Sequence, residues 1–171
     1  MARPFTFLLG GAASGKSALA EKRVRSSLRP WTYIATAQAF DAEMTAKIAV
    51  HQARRSDGWI TVEAPLDLPD ALGRVTGGTV LVDCVTLWLS NLLLAGTDLE
   101  AARDDLLQAI TATDRPVVVV SNEVGQGVVP DHALGRQFRE AQGRLNVALA
   151  ARADLVVQVV AGLPNVLKGQ L

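Results

Sequence analysis

Short apolar and β-branched runs alternate along the chain with longer stretches whose apolar residues recur every three or four positions. The runs predict strands over Phe5–Leu9, Thr32–Ala35, Trp59–Val62, Val80–Asp83, Val117–Ser121 and Leu155–Val160. Several are continuously apolar rather than alternating, the pattern of parallel strands covered on both faces. The intervening stretches predict helices over Lys16–Ser27, Ala42–Arg55, Leu66–Val75, Leu87–Leu94, Leu99–Thr113 and Leu134–Arg152. Strand–helix alternation at this spacing points to an α/β fold, an open and mostly parallel sheet with right-handed crossovers and helices on both faces. Gly77-Gly78 and Asp114-Arg115-Pro116 read as turns before strands. There is no internal repeat or long linker. At 171 residues, against about 150 per domain, residues 1–171 are expected to form one domain.

Charge narrows the function classes. Seventeen Lys and Arg balance seventeen Asp and Glu, so no polybasic tract recruits nucleic acid or anionic lipid. A single cysteine, Cys84, excludes an intramolecular disulfide and a Cys-rich zinc site. Two segments mimic membrane signals. Residues 1–13 carry Arg3 and then Phe5–Leu9, but that run is too short for a signal-peptide core and a glycine-rich loop follows at once. Residues 79–96 are long enough to span a bilayer, yet Asp83, Ser90 and Asn91 interrupt them. They read as a buried strand running into a helix. No membrane span is expected, and the expected setting is cytoplasmic.

The strongest chemical signal is Gly10-Gly11-Ala12-Ala13-Ser14-Gly15-Lys16-Ser17, which satisfies the phosphate-loop pattern of a glycine, four residues, then Gly-Lys-Ser. Phosphate binding needs backbone N–H groups that approach closely, and glycines permit that approach. Lys16 would reach the β- and γ-phosphates and Ser17 would ligate Mg²⁺, at the positive end of the following helix. A plain glycine-rich strand–helix turn is the bland alternative, and the flanking strand and helix argue against it. Thr79-Val80-Leu81-Val82-Asp83 supplies the second half, an apolar strand ending in a carboxylate that would hold Mg²⁺ through water. Asp83 as a helix N-cap is a compatible reading, with Thr86 an equal candidate for the cap. Cys84 beside it reads as a small buried residue.

A phosphate loop does not choose among kinases, switches and motors. The guanine-reading Asn-Lys-x-Asp of switch GTPases is absent. Four further segments speak: Tyr33-Ile34-Ala35-Thr36-Ala37-Gln38 with Asp41-Ala42-Glu43-Met44, His51-Gln52-Ala53-Arg54-Arg55, Ser121-Asn122-Glu123-Val124-Gly125-Gln126-Gly127 running on to Val129-Pro130, and Gly143-Arg144-Leu145-Asn146. Together with the phosphate loop and LVDCVTLWLSNLL, they make the chain closely resemble the bifunctional adenosylcobinamide kinase/adenosylcobinamide-phosphate guanylyltransferase family of cobalamin biosynthesis. The resemblance extends to Ala161-Gly162-Leu163-Pro164, essentially the whole chain. One departure is visible. The family loop reads GGARSGKS, and here Ala13 stands in for the arginine.

That resemblance implies a RecA-like P-loop NTPase fold and two reactions. Adenosylcobinamide would be phosphorylated on its aminopropanol hydroxyl with ATP or GTP. GMP would then pass from GTP to that phosphate, releasing pyrophosphate and giving adenosylcobinamide-GDP. The resemblance makes His51 the guanylylated residue. It also implies GTP contacts at Ala35, Thr36, Ala37, Gln52, Ala53, Arg54, Arg55 and Glu63, and a homo-oligomer, taken here as a trimer.

The residues also speak for themselves. A neutral imidazole is a competent nucleophile near neutral pH, and its attack on phosphorus would give a reactive phosphoramidate. Arg54 and Arg55 follow His51 at i+3 and i+4, where guanidinium groups could hold phosphates or simply be solvated. Met44, Ile48 and His51 share one helical stripe, so His51 as a core histidine stays open. Glu123, at the end of a strand on the phosphate-loop edge, could orient or deprotonate an attacking hydroxyl, or serve a structural or Mg²⁺-linked role. His132, after Pro130-Asp131, reads as surface. Trp31, Trp59 and Trp88 could flank a corrin ring, though each also fits core packing. Two rivals keep different classes in view: a small-molecule kinase that leaves His51 idle, and a regulatory or motor module that hydrolyses nucleotide slowly.

Overall fold

The computed structural model describes residues 3–39, 41–53, 55 and 57–171. Strands β1 (Phe5–Gly10), β2 (Trp31–Ala35), β3 (Trp59–Glu63), β4 (Val80–Asp83), β5 (Val117–Asn122), β6 (Leu155–Val160) and β7 (Leu163–Lys168) form one sheet in the order β3-β2-β4-β5-β1-β6-β7. All pairings are parallel except β6 with β7. Thus β5 stands between the phosphate-loop strand and the strand ending in Asp83. Six of the seven strands lie where the apolar runs predict them, within a residue or so at each end.

The helices are α1 (Lys16–Arg25), α2 (Ala42–Ala53), α3 (Leu68–Arg74), α4 (Val85–Leu94), α5 (Leu99–Ala112) and α6 (Ala133–Arg152). Alternate strand residues feed two cores. Phe5, Phe7, Ile34, Val80, Val82, Val117 and Val119 pack under α3, α4, α5 and α6. Leu8, Trp31, Tyr33, Leu81, Val118, Val120 and Val157 pack with Ala20 and Val24 of α1 on the opposite face. Because both faces are covered, continuous apolar runs form these strands. Among the described residues, no helix is long and apolar enough to cross a membrane. The 79–96 segment is β4 running into α4.

Two elements depart from the sequence pattern. β7 has no predicted counterpart. Its residues are all exposed and include Pro164, which argues against a strand in any but an edge position. It forms because Ala161 and Gly162 both take positive φ, 51° and 77°, turning the chain tightly back on β6. Helix α2 buries none of its residues, so its Met44–Ile48–His51 stripe serves no core.

Candidate active site

The phosphate loop joins β1 to α1. A Cβ on Gly10 would lie 2.5 Å from Ser14 Oγ and 2.7 Å from the Val159 carbonyl oxygen, so only glycine fits there. Gly15, the helix N-cap, sits at φ 93° and offers no side-chain cap, leaving the first-turn N–H groups of α1 for a ligand. Ala13 is exposed and takes a left-handed φ of 55°. Gly11 and Ala12 are exposed beside it. Lys16, only 8% exposed, donates from Nζ to the Gly11 carbonyl at 2.9 Å, which lays its ammonium group back over the loop. Ser14 Oγ is shielded from solvent and has no hydrogen-bond partner among the described residues. A buried hydroxyl without a partner suits a loop built to receive phosphate oxygens.

A cleft of about 510 Å³ opens beside this loop, at the carboxyl ends of β2, β3 and β4. Its phosphate end holds Lys16, Ser17, Asp83 and Asn122, and its far wall is α2, through Met44, Ile48 and His51. The helical stripe therefore faces the cleft. The His51 ring is half-buried in that wall, on the last turn of α2. Ala35 lies between Glu63 and Asp83 in strand register, and all three line the cleft, as do Ala37, Gln52 and Arg55. Ala53 is exposed and does not line it. Arg54 lies outside the described residues.

Several polar groups serve the architecture instead. Thr36 is fully buried, and its hydroxyl donates to the Cys84 carbonyl at 2.6 Å and accepts from the Cys84 N–H at 3.0 Å. That hydroxyl clamps β2 to the start of α4, and Thr36 is not among the cleft-lining residues. Glu123 accepts from the Gly125 N–H at 2.5 Å, closing its own turn, and it is not among the cleft-lining residues. The N-cap of α4 is Cys84 and not Asp83, while Thr86 Oγ1 accepts from the Asn122 N–H at 2.7 Å and so ties α4 to the end of β5. His132 is exposed and caps α6 by accepting from the Gly135 N–H at 2.9 Å. Trp31 and Trp88 are buried, the latter donating to the Leu66 carbonyl, and Trp59 is half-buried beside Trp31.

Three residues matter here to which the pattern along the chain assigns no role. Asn91, legible only as a polar break in an apolar run, is buried and donates to the carbonyls of Thr36 and Pro65 at 2.9 and 3.0 Å. It holds together the segments that follow β2 and β3. Asn146 likewise bonds Ser121 and the Asn122 carbonyl, steadying the end of β5. Tyr33 lines the cleft and donates to Asp83 Oδ2 at 3.1 Å. Burial, then the Asp83 charge, pushes its hydroxyl far above the usual phenol range, against an opposing pull from Arg55. It therefore stays a donor. Burial and the Asp83 charge likewise raise the Cys84 thiol to about 11.

Comparison with known proteins follows the same residues. Residues 6–167 match the family described as cobinamide kinase / cobinamide phosphate guanyltransferase. The chain is 46% identical over 167 residues to the bifunctional adenosylcobalamin biosynthesis protein CobP of Pseudomonas aeruginosa, covering 95% of this chain and 96% of that protein. It is 39% identical over 171 residues to the similarly named CobU of Salmonella typhimurium, covering 90% of this chain and 94% of that one. A solved structure from Pyrococcus horikoshii OT3 aligns with a TM-score of 0.56 at 9% identity, covering 99% of this chain and 88% of that chain. That last likeness shows the fold alone.

Proposed function

Because the chain belongs to the cobinamide kinase / cobinamide phosphate guanyltransferase family, we propose that this cleft runs both reactions, with Lys16, Ser17 and Asp83 at the phosphate end and His51 as the guanylyl carrier. The enzyme phosphorylates adenosylcobinamide with ATP or GTP. It then transfers GMP from GTP to the new phosphate, giving adenosylcobinamide-GDP and pyrophosphate. The observation that carries this assignment is that His51 lines the same cleft as Lys16, Ser17 and Asp83.

In the kinase step the substrate hydroxyl oxygen bonds to the γ-phosphorus, and the bond to the β-phosphate oxygen breaks. The loop N–H groups and Lys16 bind the charge that shifts onto the leaving oxygens. Glu123 would accept the hydroxyl proton on Oε2, since the Gly125 N–H occupies Oε1. In the transfer step a ring nitrogen of His51 bonds to the α-phosphorus and pyrophosphate leaves. The acceptor phosphate then displaces the imidazole, breaking the P–N bond. Gln52, Arg55 and Glu63 surround the nucleotide in this reading, and Ala35 and Ala37 supply backbone contact. Thr36 acts indirectly, through its clamp on Cys84.

Mg²⁺ fits the donor set. Ser17 and Asp83 line the cleft together, and no cluster of three or more acidic, imidazole or thiol groups occurs among the described residues. One hydroxyl and one carboxylate suit an ion held mainly by substrate phosphates and water. When bound, it neutralises and orients the phosphates. Ala13 leaves that task to the backbone and Lys16. A cytoplasmic homo-oligomer, a trimer, belongs to the same proposal, and the wholly exposed edge strand β7 offers a surface for a second copy. Light scattering on the purified protein tests the subunit count.

The decisive experiment incubates the protein with Mg²⁺ and GTP labelled at the α- or the γ-phosphate, without acceptor. Acid-labile, alkali-stable protein label from α-GTP only, lost in His51→Ala, establishes the carrier. Absence of any adduct from folded, GTP-binding protein overturns it and leaves a kinase.

A further inference from the structure

We propose that Tyr33 is a positioning residue that ties the Asp83 carboxylate to the Arg55 guanidinium, so that one side chain sets both the phosphate end of the cleft and the end of the histidine helix. Tyr33 sits on β2, 4% exposed, and lines the cleft with both partners. Its hydroxyl donates to Asp83 Oδ2 at 3.1 Å. Its ring carries Arg55, whose guanidinium carbon lies 3.7 Å from the ring centroid. Trp59 meets the same ring edge-on, with centroids 6.0 Å apart and an interplanar angle of 81°, and so backs it from the neighbouring strand.

Packing alone does not account for this arrangement. A buried tyrosine needs one partner for its hydroxyl, and a backbone carbonyl would serve. Tyr33 instead bonds a carboxylate at the end of a neighbouring strand, in a cleft that also holds Lys16 and Ser17. The bond fixes one Asp83 oxygen and leaves the other without a hydrogen bond among the described residues. A carboxylate held this way keeps its orientation toward a divalent ion, as partners behind metal ligands do generally. Arg55 shows the complementary feature. Its Nη1 is shielded from solvent and has no hydrogen-bond partner among the described residues. A guanidinium stacked by its face keeps its edge donors for planar oxyanions. Arg55 lines the cleft, and in this proposal its unsatisfied guanidinium turns to a phosphate oxygen of the nucleotide when that binds.

The inference rests on the proposed nucleotide chemistry, and its test separates the two. Tyr33→Phe removes the bond to Asp83 and keeps the seat for Arg55, whereas Tyr33→Leu removes both. Mn²⁺ binding in the presence of GTP is followed by electron paramagnetic resonance, GTP binding in chelator by calorimetry, and folding by thermal melting. Tyr33→Phe is expected to weaken Mn²⁺ binding about 10-fold, with metal-free GTP affinity unchanged. Tyr33→Leu is expected to weaken metal-free GTP binding about 10-fold as well. In the Tyr33→Leu background, Arg55→Ala should then cost little more, the non-additivity of two residues acting as a unit. Wild-type Mn²⁺ affinity in Tyr33→Phe, or full additivity of Tyr33→Leu with Arg55→Ala, overturns the proposal. If the wild-type protein forms no GMP adduct, the carrier role of His51 fails, while these titrations still decide Tyr33.

Discussion

The backbone N–H of Gly162 donates to the carbonyl of Ser14 at 2.8 Å, which fastens the turn of the last hairpin to the phosphate loop. The two segments also touch, since a Cβ on Gly15 would lie 3.2 Å from Gly162 Cα. The loop is thus braced from behind by a strand pair that never reaches the cleft. Gly162→Val places a β-branched residue at φ 77° and is expected to cost about 1–3 kcal/mol of stability. It should also reduce the rise in melting temperature on adding GTP, read by paired thermal melts with and without nucleotide.

Lys16→Ala removes a buried cation that the loop holds in place. Hydrogen bonds to charged groups contribute about 1.5–3 kcal/mol, so triphosphate affinity should fall roughly 10- to 100-fold. Calorimetric titration with GTP and ATP measures it.

His51→Ala should abolish α-labelled protein yet leave phosphorylation of adenosylcobinamide measurable. Helix α2 buries no residue, so unfolding stability should stay within about 0.5 kcal/mol of the wild type. A large loss of stability in this variant would mean that the ring is structural.

Thr36→Val keeps the side-chain shape but leaves the Cys84 N–H without its partner, while the Cys84 carbonyl keeps only the Trp88 N–H. Denaturant unfolding should show a loss of about 1–3 kcal/mol. The same clamp positions the chain between Ala35 and Ala37, so KM for GTP should rise more than kcat falls.

Cys84 tests the burial of the site floor. With its thiol raised to about 11, little thiolate exists at pH 8, and iodoacetamide should label the folded protein far more slowly than the unfolded chain. Between the ordinary 9.0 and about 11 the folded state binds more protons than the unfolded one. Its stability contribution is therefore present below that window and lost as pH rises through it. Unfolding curves at pH 8 and 10.5 measure the difference.

The strand and helix positions were legible because they depend on short-range pattern. Val117 to Val120 are apolar without a break since the sheet is covered on both sides, and Gly10, Gly15 and Lys16 stand at spacings that loop geometry demands. The stripe of Met44, Ile48 and His51 was equally visible, but its direction was not. The same spacing serves a core or a cleft, and only the stand-off of α2 from the sheet distinguishes them.

By itself the sequence determined the α/β alternation, the phosphate loop and the set of polar residues from which a site could be drawn. Those features are written in neighbouring residues, through periodicity and turn chemistry. The tertiary structure decided which polar groups remain for a ligand. Thr36 is tied to Cys84 and Asn91 to two strand ends, and one oxygen of Glu123 is taken by Gly125, whereas Ser14 Oγ and Arg55 Nη1 have no partner among the described residues. It also decided that Tyr33 meets Asp83, fifty positions away in the chain. Each buried donor and acceptor is satisfied by whatever the fold brings beside it, and no local pattern encodes that partner.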